Sequence, residues 1–170
     1  MKMSLKYLLL AALLAFGAVA CKKEEEAKPV VAATPEPILS VPGNDDPAAW
    51  KAYLSQVVKA NMDGKKYKRP FVYWIPGADG EDQQRAYDDQ LDNVANTVGR
   101  GIQAGSMIAF GSSNSTKMAN LIVEAFDPKI AVPKSLKGVR VVFIGAPADE
   151  QRVRDIIAPT EADFVFVEAK

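Results

Sequence analysis

VRVVFIGAPADEQRVRDIIAPTEADFVFV, residues 139–167, decides the fold. It opens on Val139 to Ile144, a short apolar run whose β-branched residues suit a strand buried on both faces. It closes on Phe164 to Val167, a second run of the same kind. Between them Val153, Ile156 and Ile157 fall at helical spacing. Strands joined by a helix run parallel, because the helix carries the chain back to the end of the sheet where the first strand began.

The pattern repeats towards the N-terminus. Met107 to Phe110 and Phe71 to Ile75 are two further apolar runs. Met118, Leu121, Ile122 and Ala125 mark a helix after the first of these, and Tyr87, Leu91, Val94 and Val98 mark one after the second. Gly99 and Gly101 stand near the end of the latter. Ahead of all these, Trp50, Leu54, Val57 and Val58 trace one face of a helix from about Pro47 to Met62, with proline in its first turn and Gly64 at its end. Lys65 to Arg69 read as a basic turn. The expectation is an α/β domain: a small three-layer sandwich with a four-stranded, mainly parallel sheet, preceded by an extra N-terminal helix. A thioredoxin-like arrangement is the rival, and it would need antiparallel pairing at the C-terminus.

The chain divides into three parts: residues 1–20 as a signal peptide, 21–47 as a lipidated cysteine and proline-rich tether, and 48–170 as a single domain. Lys2 and Lys6 precede an apolar run from Tyr7 to Phe16, the layout of a secretory signal. Ala18-Val19-Ala20-Cys21 resembles the lipobox of bacterial lipoproteins, with Ala18 where leucine is usual. That resemblance implies a lipid on Cys21 and a membrane-anchored protein facing the periplasm. Lys22, where an aspartate would retain the protein in the inner membrane, points to the outer one. From Lys22 to Pro47 a charge block gives way to Pro29, Pro35, Pro37, Pro42 and Pro47 among small residues, a composition that cannot build a packed element.

Composition excludes several functions. There is no histidine and the one cysteine is Cys21, so histidine-dependent triads, most zinc sites, a domain thiol nucleophile and an internal disulfide all fall away. Loss of Lys2 and Lys6 with the signal would leave 19 basic against 21 acidic residues, which argues against nucleic acid as a partner. No catalytic residue, metal site or cofactor is assigned.

Candidate polar groups lie in loops following the strands: Pro76 to Asp82, Gly111 to Thr116 and Gly145 to Glu150. In an open α/β sheet a ligand binds beyond the strands' carboxyl ends, where the strand order reverses. Ser112, Ser113, Asn114, Ser115 and Thr116 open a helix and could receive a phosphate, sulfate or carboxylate, or could simply cap it. Asp79, Asp82, Arg85 and Asp149 would rim such a site, while Arg152 reads as solvated. Two functions follow. The first is an envelope lipoprotein presenting its domain to a protein partner or envelope assembly. The alternative is a small-molecule or anion-binding domain, extending to a hydrolase that relies on Asp79, Ser112, Ser113 and Asp149. A flat, closed sheet end with an exposed apolar patch elsewhere fits the first, and a concave pocket joining the loops fits the second.

Overall fold

The computed structural model describes residues 40–64, 66–130 and 133–170. Cys21, the expected signal and all but the end of the expected tether lie outside them. The described part belongs to one compact unit, Pro37–Lys170.

Four strands, β1 (Arg69–Ile75), β2 (Ser106–Ser112), β3 (Arg140–Gly145) and β4 (Asp163–Glu168), form one sheet in the order β1-β2-β3-β4, every pair parallel. Helices α2 (Glu81–Arg100), α3 (Ser115–Ala125) and α4 (Pro147–Ile157) make the three crossovers, and α1 (Pro47–Asn61) precedes the sheet. The α/β class and the N-terminal helix are as expected, and parallel pairing of β4 excludes the thioredoxin-like rival. Because each crossover moves to the next neighbour in the same direction, crossovers of one hand put all three helices on one face. Alternation along the strands then builds two cores. Tyr73, Ile75, Ile108, Phe110, Val141 and Phe143 pack against α2, α3 and α4. Met107, Ala109, Val142 and Ile144 pack against Trp50, Leu54, Val57 and Val58 of α1. Gly111 is held to glycine there, since a Cβ would lie 2.6 Å from the Leu54 side chain.

Burial on both faces explains why β2 is buried at every residue and β1 is not. As an edge strand, β1 leaves Arg69 to Val72 exposed. The strand also begins two residues before the apolar run, taking Arg69 out of the expected basic turn.

The strand order is one feature that the sequence leaves open. It runs without reversal, so the sheet of described strands has no switch point.

Candidate functional site

Parallel strands and returning helices place the starts of all four helices at the pole where the strands end. The loops there are short. β2 extends through Ser112 and α3 begins at Ser115, so the Gly111 to Thr116 loop expected from sequence contracts to Ser113 and Asn114. Asn114 is the N-cap of α3: its Oδ1 accepts from the Lys117 amide at 3.0 Å. Buried Ser112 uses its Oγ to accept from the Asn114 amide at 3.1 Å.

The loops after β1 and β2 meet on a residue that sequence reasoning assigned to the tether. Asp45 accepts from the amides of Gly77 and Ala78, each at 2.8 Å, and from the Ser113 hydroxyl. Burial by itself would raise its carboxyl, but the bonds from Ser113 and the two amides outweigh that, with Lys117 adding charge, and hold it below its ordinary 3.8. Asp45 belongs to a strap, Val41–Asp46, fixed at two further points. The Val41 amide donates to the Lys170 carbonyl at 2.9 Å, and the Trp50 indole donates to the Asn44 carbonyl at 2.7 Å. Asp46 caps α1, accepting from Ala48 at 3.1 Å and Ala49 at 3.3 Å. The last residues of the proline-rich stretch are therefore part of the folded domain. Gly77 lets the loops close this tightly, because a Cβ there would collide with the Ser113 hydroxyl and sit 2.7 Å from the Asn114 backbone.

A second carboxylate gathers the other candidates. Asp149, only 6 % exposed, accepts from Ser115 Oγ at 2.6 Å, from Thr116 Oγ1 at 3.2 Å, and from Arg152 through Nε at 3.0 Å and Nη2 at 2.7 Å. Ser115 Oγ in turn accepts from the Ala146 amide at 2.7 Å. Desolvation raises the Asp149 carboxyl less than the Ser115 and Arg152 bonds lower it, so it too lies below 3.8. Arg152 is not left to solvent as its sequence position suggests. Its guanidinium also donates to the Asn120 side chain and the Thr116 carbonyl, binding α4 to α3.

The predicted residues thus separate into two clusters and a surface remainder. Ser113 joins Asp45, while Ser115 and Thr116 join Asp149. Asp79 is almost fully exposed, 3.5 Å from Lys117 Nζ, and Lys117 also donates to the Ala78 carbonyl at 2.7 Å. Asp82 and Arg85 pair with each other on the exposed side of α2. Chemically, the two clusters occupy much of what an external anion would need: the Gly77 and Ala78 amides, the Ser113, Ser115 and Thr116 hydroxyls and part of the Arg152 guanidinium donate to carboxylates of the chain itself. No group of three or more metal-ligating side chains occurs among the described residues, and no described helix is long and apolar enough to cross a membrane. In comparisons with protein families, curated proteins and solved structures, nothing matches the chain.

Proposed function

We propose that the chain is a bacterial envelope lipoprotein, anchored through lipid on Cys21, whose α/β domain binds a protein partner or envelope assembly. The observation that carries this reading is the internal hydrogen bonding at the strand-end pole. At the strand ends, where an α/β enzyme would hold substrate, Asp45 takes the Gly77 and Ala78 amides and the Ser113 hydroxyl, and Asp149 takes the Ser115 hydroxyl and Arg152. A partner-binding domain needs no such opening. The lipobox-like Ala18 to Cys21 supports the anchor, and Lys22 supports an outer-membrane address.

The test has two arms. Metabolic labelling with a radioactive fatty acid should mark the parent and not the Cys21→Ser variant; labelling of both, or of neither, overturns the anchor. Crosslinking in intact cells followed by purification should give a discrete adduct that is lost when the domain surface is altered but kept when the strand-end carboxylates are neutralised. Loss of the adduct in an Asp45→Asn or Asp149→Asn variant that still folds would move the function to the strand ends.

One observation favours the anion-binding alternative. Asp45 itself shows that Gly77, Ala78 and Ser113 can bind a carboxylate, with the charge of Lys117 favouring it. On that reading an external anion competes with the strap. Asp45→Ala should then acquire a saturable rise in melting temperature with phosphate, over the general salting-out seen in sulfate. A non-saturable response alone removes the alternative.

A further inference from the structure

All four strands start at one pole, and the helices end there. The Asn61 carbonyl at the end of α1 accepts from Arg140 Nη1, at the first residue of β3, at 2.6 Å. Cations are favoured beside helix C-termini and anions beside N-termini. The chain follows that rule, with Lys59, Arg100 and Arg154 in last turns against Glu81, Asp82, Asp149 and Glu150 in first turns.

The connecting segments deepen the split. Lys66, Lys68, Arg69, Lys129 and Lys137 stand exposed at the strand-start pole. The anions near them are fewer, and two share Arg140: Asp163 pairs with it at 2.7 Å and is also reached by the charge of Lys66, Asp63 lies 4.0 Å from the same guanidinium, and Glu161 accepts from Ser135. Asp127 accepts from the backbone of Lys129. The domain is basic where its strands begin and acidic where they end.

Apolar side chains lie within the basic pole. Phe71 is 42 % and Val72 43 % exposed, directly after Lys68 and Arg69 on the uncovered half of β1, and Ile130 is 56 % exposed in the segment leaving α3. β1 is an edge strand, which by itself would invite an added strand from a partner. Arg69 and Pro70 oppose that: a charged residue and one without an N–H are the usual means of blunting an edge. The occupant that fits is one needing no backbone pairing, only negative charge and a shallow apolar layer. An interfacial lipid layer has both.

We infer that the strand-start pole docks the domain on an anionic lipid surface, with Lys66, Lys68 and Arg69 over headgroups and Phe71 in the interface. The pole bearing Asp45 and the strand ends then faces away from the bilayer. This goes beyond the proposed function and does not depend on lipid at Cys21. If Cys21 is anchored, the residues from Lys22 to Ser40 could span roughly 60 Å at full extension. The 15 residues of α1 rise only about 22 Å. The pole far from the strap can therefore reach the same membrane.

The test uses residues 22–170, which contain the whole compact unit and neither Cys21 nor the apolar signal. Vesicles of phosphatidylcholine with about 30 % phosphatidylglycerol are sedimented with the protein, beside pure phosphatidylcholine vesicles. Binding to the anionic vesicles alone is expected, falling more than about tenfold in Lys66→Glu/Lys68→Glu and likewise on raising salt from about 0.1 M to about 0.5 M. Phe71→Ser should weaken it further. Lys66 and Lys68 are exposed, so an unchanged melting curve keeps the charge variant interpretable. Equal binding by the charge variant, or no binding by the parent, overturns the inference. Binding to soluble poly-glutamate without binding to vesicles also overturns it and assigns the pole to an acidic polypeptide.

Discussion

Replacing Asp45 by alanine tests whether the strap is part of the fold or an incidental contact. The variant deprives the Gly77 amide, the Ala78 amide and the Ser113 hydroxyl of one charged acceptor. A hydrogen bond to a charged group contributes about 1.5–3 kcal/mol net, and a donor left without a partner away from water costs a similar amount. Ala78 and Ser113 are exposed, so their donors turn to solvent at little cost; Gly77 is half-buried and cannot do so fully. The expected loss is therefore about 2 kcal/mol rather than the sum of three bonds. For a domain of this size each kcal/mol moves Tm by about 3–5 °C, which gives a fall of about 6–10 °C.

The pH dependence supplies a second reading from the same pair of proteins. Asp45 has its folded-state pKa below the ordinary 3.8, so its contribution is fully present above that value and is lost as pH falls through the depressed one. The melting gap between parent and Asp45→Ala should hold constant from neutral pH to about 5 and close below about 4. Circular dichroism melts across that range measure it, with limited proteolysis reporting whether the bond N-terminal to α1 becomes cleavable. A variant melting within about 1 °C of the parent at neutral pH, or a gap undiminished in acid, would refute the latch.

Asp149→Asn should cost about 2–3 kcal/mol, since it breaks the ion pair of a nearly buried carboxylate; combined with Ser115→Ala, the loss should fall well short of additive in denaturant unfolding. Gly77→Ala should lower Tm by several degrees through the collision with Ser113 and Asn114, whereas Gly43→Ala, with nothing within 4 Å, should be silent. Deleting Lys23 to Glu36, which stops short of the compact unit, should leave Tm unchanged, while extending the deletion through Asp46 should lower it at least as far as Asp45→Ala does, because that removes the α1 cap and all three strap contacts.

The element types and the parallel pairing were legible because they rest on local periodicity and chain connectivity. An apolar run, a helical face and another run leave little choice but a crossover, and three in succession give the sheet. Trp50, Leu54, Val57 and Val58 gave the extra helix in the same way, and all four are buried. Boundaries moved by one or two residues wherever polar or charged residues joined a strand, as Arg69 does in β1 and Ser112 in β2. Hydrophobic pattern carries no information about such residues, because their place is set by backbone pairing with a neighbour.

Only the tertiary structure decided the strand order and the partners of the polar groups. A sequence of alternating strands and helices is compatible with an order that reverses and opens a crevice, and with one that does not; which occurs depends on how the helices and α1 divide the two faces between them. Asp45 lies 68 positions from Ser113, and Asp149 lies 34 from Ser115, so neither contact has a local signature. A weak signal for the first was present. Asn44-Asp45-Asp46-Pro47 carries more capping residues than a single helix start requires, and Asp46 alone serves α1. Which loop the surplus carboxylate would reach was fixed by the fold, which brings the lead-in of α1 over the ends of β1 and β2. The serine-rich loop shows the same division: its composition specified a cluster of donors at a helix start, and the folded chain supplied the carboxylates that fill them.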